Sequence, residues 1–170
     1  MVDRPGLEAL SVTPFAPADR DAVVELVLGI QRGELGVPIT LADQPDLADV
    51  PAFYQRARGG FWVGRSGARV VGTIGLLDGG GAVALRKMFV HREHRGRERG
   101  VAHLLLGALL AHARANGIHD VFLGTRPEMH AAHRFYEKHG FVRMEERELP
   151  PSFPRMTFDS VFYRRTEESA

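Results

Sequence analysis

Met88-Phe89-Val90-His91-Arg92-Glu93-His94-Arg95-Gly96-Arg97-Glu98-Arg99-Gly100-Val101-Ala102 decides how this chain folds. An apolar strand ends at Val90, a basic turn with two glycines follows, and a helix begins near Gly100. The strand runs back to Ala82. Leu104, Leu105, Ala108, Leu109 and His112 carry the helix forward at helical spacing, and Asn116 and Gly117 close it. A helix start offers unpaired N–H groups and the positive end of its dipole, which together suit a pyrophosphate. Gly96 and Gly100 let the backbone curl towards a ligand, and Ala102 keeps the first turn small. Arg95, Arg97 and Arg99 add charge-assisted contacts. The same residues also describe a solvated basic turn that merely caps a helix. A phosphate loop needs Gly-Lys-Ser/Thr, and neither Lys87 nor Lys138 has that context. Gly96 to Gly107 does not supply the G-x-G-x-x-G of a dinucleotide fold. A nucleic-acid surface over Arg92 to Arg99 is interrupted by Glu93 and Glu98.

Upstream, Thr13 to Phe15 read as a short strand, Pro17 to Gln31 as a helix, and residues 33–45 as a loop. Leu47 to Arg56 read as a second helix. Phe61 to Arg65 and Arg69 to Leu77 form a hairpin about Ser66 and Gly67, and the strand ending at Val90 extends it. Downstream, Val121 to Thr125 is a strand and His130 to His139 a helix stopped by Gly140. Phe141 to Arg147 and Met156 to Arg164 are the last strands. The order predicts one layered mixed α/β domain over residues 1–170, with about seven mostly antiparallel strands flanked by about four helices. Hairpins give way to crossover helices after residue 90, which puts a ligand crevice at the end of that strand.

Composition narrows the class of function. At 170 residues, 44% hydrophobic and 25% charged, the chain is an ordinary globular one with net charge +1. Bulk charge therefore draws it to neither nucleic acid nor membrane. It has no cysteine, hence no disulfide, thiolate metal site or cysteine nucleophile. No run of about 18 apolar residues suggests a membrane span, and Met1 to Leu10 lack a signal core, so a cytoplasmic protein is expected. His91, His94 and His112 lack a recognised metal spacing, and no metal is expected.

Arg97-Glu98-Arg99-Gly100-Val101-Ala102 resembles the Q/R-x-x-G-x-G/A signature of the GNAT superfamily of acyl-CoA-dependent N-acyltransferases. Leu104-Leu105-Leu106 follow as expected there, and Leu85 to Val90 look like that family's fourth strand. Arg92 stands where the family usually has proline, and two extra residues fall near Glu98 and Arg99, so either Arg95 or Arg97 fills the signature arginine's place. A second match is Ala132, Tyr136, Gly140 and Phe141, against A-x-x-x-Y-x-x-x-G-F. The resemblance covers about residues 60–165 and implies a GNAT-like fold and acetyl-CoA as co-substrate. It implies cofactor contacts from Met88, Phe89, Val90, Arg95, Gly96, Arg97, Glu98, Arg99, Gly100, Val101 and Ala102.

It also implies Tyr136 as a general acid. By itself a tyrosine beside Phe135 is an amphipathic core residue. In a GNAT site it protonates the departing thiolate when an amine attacks the thioester directly, with backbone N–H groups near Met88 to Val90 polarising the carbonyl. A non-catalytic acyl-CoA-binding regulatory domain of the same fold is the alternative. Glu128 and His130 are the nearest candidates for a base, or else solvent-facing residues at a helix start. Tyr54, Phe61 and Trp62 line an acceptor pocket or belong to the core. Asp43 and Asp46 greet a cationic amine or sit in a solvated loop. The acceptor is a small-molecule or peptide amine, with no nucleic acid or membrane partner. The last two strands offer a surface for a homodimer.

Overall fold

The computed structural model describes residues 8–96 and 100–167. Its strands are β1 (Leu10–Pro14), β2 (Gly60–Ser66), β3 (Arg69–Asp78), β4 (Val83–Val90), β5 (Asp120–Thr125), β6 (Val142–Met144) and β7 (Val161–Thr166). Its helices are α1 (Arg20–Leu28), α2 (Pro45–Ala48), α3 (Val50–Phe53), α4 (Val101–Ala115) and α5 (His130–Lys138). The strands form one sheet in the order β1-β2-β3-β4-β5-β7-β6. All neighbours are antiparallel except β4 and β5. The expected mixed α/β class, mostly antiparallel, is the observed one.

Each face of the sheet has its own apolar layer. Leu105, Leu106 and Leu109 of α4 and Tyr136 of α5 pack on one face with Ile74, Leu85 and Leu123. Val23, Val27, Leu47, Val50 and Tyr54 cover the other, against Phe61 and Val63. Ala84, Phe122, Phe153 and Phe162 make a third cluster towards the β6–β7 connection. The alternation of side chains along a strand sorts these sets onto opposite faces.

Several expected elements were redrawn by local chemistry. The predicted helix over 47–56 is two four-residue turns that meet at Asp49, whose φ is −137°. Pro51 cannot donate a hydrogen bond inside a continuous helix. It sits instead in the first turn of α3, and Asp49 caps that turn through Ala52 N–H at 3.2 Å. The first helix does not end at Gln31 but widens into a π turn over Gly29–Glu34, with Leu35 N–H reaching Ile30 O at 3.0 Å. The sixth strand, expected over 141–147, spans only Val142–Met144. The seventh begins at Val161 rather than Met156, because Asp159 N–H turns back to Met156 O at 3.3 Å. Since β7 lies between β5 and β6, only β6 leaves an open edge at that end of the sheet. Among the described residues no helix is long and apolar enough to cross a membrane.

Candidate active site

β4 and β5 pair only at Val83–Val121 and Ala84–Phe122. Beyond Ala84 the strands diverge, so the edge of β4 from Leu85 to Val90, about 20 Å at strand rise, has no partner strand on the β5 side. A bulge sharpens the divergence. Thr73 pairs with Phe89 and Gly75 with Arg86, which leaves Lys87 and Met88 together opposite Ile74. Lys87 has φ of +52°, a left-handed conformation that costs a non-glycine residue about 1–2 kcal/mol. Two interactions hold it there. Thr73 Oγ1 donates to Lys87 O at 2.7 Å, and Lys87 Nζ donates to Gln44 Oε1 at 2.6 Å.

The lysine belongs to a buried polar cluster beneath α2. Its Nζ is 3.5 Å from Asp46 Oδ2, which also accepts a 2.6 Å hydrogen bond from Tyr54 Oη. Gln31 and Gln44 exchange hydrogen bonds of 3.0 and 2.8 Å. Burial pushes the Lys87 ammonium below its ordinary pKa, and Asp46 opposes that shift. Burial and the adjacent Asp46 hold the Tyr54 phenol well above its usual range. Asp46 is thus an internal partner, while Asp43 caps its own turn through Thr40 N–H and Oγ1, both at 2.9 Å. Tyr54 and Phe61 are core, and Trp62 packs edge-on against His112 at 5.0 Å.

The divergence opens into a cleft of about 1090 Å³. Met88, Phe89 and Val90 line it from β4, and Gly96, Gly100 and Ala102 from the turn and first helical residues. Glu128, His130, Phe135 and Tyr136 close it from the far side. Gly96 and Gly100 have φ of +101° and +70°, which only glycine adopts without strain. No described side chain caps the start of α4, whose Gly100 and Ala102 line the opening. Val101 is different: its side chain is buried, and a Cβ added to Gly72 would stand 3.0 Å from it. What Val101 can offer a ligand is its backbone. Arg97, Glu98 and Arg99 lie outside the described residues.

Arg95 does not stand free. Its Nε donates to Val90 O at 2.8 Å, and its two terminal nitrogens grip both Glu34 oxygens at 2.8 and 2.9 Å. That contact holds the Glu34 carboxyl below its ordinary pKa. Glu128 is likewise paired, to Arg126 at 2.6 Å. With both described acids of the lining paired, Arg134 and Lys138 leave it suited to a polyanion.

Tyr136 is buried, with its ring 5.5 Å from Phe141 and 6.2 Å from Tyr163. No described residue hydrogen-bonds its hydroxyl. Burial, and then the charge of Asp159, raise the phenol's pKa far above the ordinary value. Sequence reasoning missed Glu34, His103, Arg134 and Asp159. Their individual patterns are those of any charged surface; only the fold brings Glu34, His103 and Arg134 to one opening and sets Asp159 against Gly124 of β5.

A family model described as the Acetyltransferase (GNAT) family matches residues 33–141. The chain belongs to the GNAT acetyltransferase family. It is 38% identical over 106 residues to the mouse probable N-acetyltransferase family 8 member 5, covering 59% of this chain and 46% of that one. It therefore spans less than half the length of that curated relative. A GNAT-family acetyltransferase from Staphylococcus aureus Mu50 superposes with a TM-score of 0.86 at 31% identity, over 93% of this chain and 99% of that one. A putative acetyltransferase from Salmonella typhimurium, solved with its cofactor acetyl-CoA, has a TM-score of 0.68 at 23% identity, over 95% and 96% of the two chains. That likeness speaks for the GNAT fold. The bulged β4, its separation from β5 and the glycine that opens α4 are the parts of this GNAT chain on which a functional reading rests.

Proposed function

We propose that this chain moves an acetyl group from acetyl-CoA to a primary amine by direct attack. One observation carries the proposal. Met88, Phe89 and Val90 of the diverging β4, Gly100 and Ala102 at the start of α4, and Tyr136 all line a single large cleft. A volume of about 1090 Å³ exceeds an ordinary small-ligand pocket of about 300–1,000 Å³, which suits a long cofactor. The residues present fit that group. Backbone N–H groups at Gly96 and after Gly100 would take the pyrophosphate, while Arg134 and Lys138 lie along the same cleft. Bound there, acetyl-CoA supplies an activated acyl group and a good leaving group. The Salmonella typhimurium relative is described with the same cofactor.

The chain's own part is to hold, polarise and exchange protons. Holding two reactants in line is a large contribution by itself. Backbone N–H groups of Met88 to Val90 would stabilise charge building on the carbonyl oxygen. Tyr136 would give its proton to the leaving sulfur. A regulatory domain that only binds acyl-CoA has no need of a phenol at this point, which favours catalysis. The proposal treats the chain as one catalytic domain acting in the cytoplasm, where no membrane partner is needed.

Two measurements test it together. Calorimetric titration with acetyl-CoA should show saturable binding, and thiol release should accelerate with an amine from a broad panel. No binding at millimolar acetyl-CoA overturns the proposal. Binding without turnover of any amine favours the regulatory alternative.

A further inference from the structure

Asp159 sits two residues before β7, half-buried, and no described residue hydrogen-bonds or ion-pairs with its carboxylate. It is held in place by its neighbours. Its own N–H bonds Met156 O at 3.3 Å, and Ser160 N–H bonds Thr125 O at 3.1 Å. The carboxylate lies directly over the backbone of Gly124. A Cβ added there would come within 2.7 Å of Oδ2, so any other residue at 124 would push Asp159 away.

Sidedness gives this position its meaning. Gly124 shares a face with Phe122, whose partners are Ala84, Phe153 and Phe162. Leu123 faces the other way and packs with α4 and Tyr136. Asp159 and Tyr136 therefore approach the gap between β4 and β5 from opposite faces, and the Asp159 charge still bears on the Tyr136 phenol.

The surrounding cations do not satisfy the carboxylate. Those that face it are Arg86 and Lys87 of β4 and Arg126 after β5. Lys87 is held by Gln44 and Asp46, Arg126 by Glu128, and Arg86 donates to Pro154 O at 2.5 Å. Burial raises the Asp159 pKa and the three cations lower it, with burial the larger effect. A half-buried acid without a partner opposes folding. Departures of this kind from the local rules of folding are expected at functional sites.

Resting on the acetyl-transfer reading above, we infer that Asp159 binds the ammonium of the acceptor and takes its proton. The amine enters from the sheet face opposite α4, and Tyr136 serves the leaving sulfur from the other. Asp159 accepts one proton from R–NH3+, leaving R–NH2 with a free electron pair. As the C–N bond forms, the C–S bond breaks and its electron pair leaves on sulfur. Tyr136 gives sulfur its proton, and the second nitrogen proton replaces the one Tyr136 gave. Asp159 then releases its proton to water. The two residues are coupled. The negative charge of Asp159 is one of two causes that hold the Tyr136 phenol un-ionised. Protonating Asp159 removes that cause at the moment Tyr136 must act as an acid.

The test is Asp159→Asn in the full chain, with n-butylamine, spermidine and the L-amino acids as protonated amines. Hydroxylamine, already unprotonated at pH 7, is the contrasting nucleophile. Acetyl-CoA affinity should match the native protein, and the melting temperature should not fall, because a charge without a partner is gone. With the best alkyl amine, kcat/KM should drop about 10²–10⁴-fold and its acid limb in the pH profile should vanish. The loss with hydroxylamine should be at least tenfold smaller. Equal losses with both nucleophiles, unchanged rates, or loss of acetyl-CoA binding in the variant would overturn the assignment. A native protein that binds acetyl-CoA but acetylates no member of the panel overturns it too, while the cofactor site stands. Failure of the native protein to bind acetyl-CoA removes the underlying reading instead.

Discussion

Glu34 and Arg95, 61 residues apart in the chain, grip each other through both carboxylate oxygens and both terminal guanidinium nitrogens. The pair ties the π turn after α1 to the glycine turn before α4, and both residues line the cleft. Arg58 and Asp78 make a comparable contact at 3.1 Å near the start of the β2–β3 hairpin, with the carboxylate almost wholly covered. Arg95 lowers the Glu34 pKa from 4.5, and Arg58 lowers that of Asp78 from 3.8. A carboxylate whose folded pKa is depressed stabilises the fold above its unfolded pKa and loses that contribution as pH falls through the folded one. Urea midpoints should therefore hold steady near neutrality and decline below about pH 4.5. Arg58→Met should flatten that decline more than Arg95→Met, because the Glu34 pair is more exposed and screened. Identical acid profiles for both variants and the native chain would contradict this.

Gly100 is the position where a single methyl group is most informative. Its φ is +70°, and a Cβ there would meet no described residue within 4 Å. The penalty of Gly100→Ala is thus conformational rather than steric, about 1–2 kcal/mol. Such a loss lowers the melting temperature of a chain this size by about 2–8 °C. Acetyl-CoA affinity should weaken as well, since the turn would relax away from the shape that presents its N–H groups. A variant with native melting and native affinity would remove Gly100 from the site.

Lys87 is buried at a left-handed position and paired with Asp46. Lys87→Met leaves that carboxylate buried without its cation, a change that costs about 3–5 kcal/mol. Adding Asp46→Asn should restore much of the loss, because the amide carbonyl still accepts from Tyr54. Equilibrium urea unfolding of the two single variants and the double variant measures the coupling. Additive effects would mean that the pair does not act as a unit.

Tyr136→Phe deletes a hydroxyl that no described residue hydrogen-bonds. Folding stability and acetyl-CoA affinity should stay close to native. Thiol release with an active amine should fall about 10²–10⁴-fold. Undiminished turnover would reassign Tyr136 to packing alone.

The contrast between two of these residues shows how far one dimension reaches. Gly100 could be read from its neighbours: a strand, a basic turn and a helix in succession specify a tight backbone and an anion site, because each is a local event. The same holds for the α5 cap at Gly140 and for the class of the fold, since period-two and period-3.6 patterns are local too. Asp159 could not be read at all. It fell inside a segment expected to be strand, and nothing in Thr157-Phe158-Asp159-Ser160 marks an active-site acid. Pro51 is an intermediate case. The residue was visible, but the continuous helix drawn through it ignored its missing N–H.

By itself the sequence determined the order of elements, the glycine turn and the apolar faces, through steric and hydrogen-bonding rules that act within a few residues. The tertiary structure alone decided that Arg95 belongs to Glu34, that Asp46 is locked to Lys87 and Tyr54, and that Asp159 has no partner among the described residues. Those outcomes depend on distances between separate segments, up to 61 residues apart for Arg95 and Glu34. Electrostatic and hydrogen-bonding energies fall off over a few ångströms, so only the folded arrangement can assign each charge a partner or leave it without one.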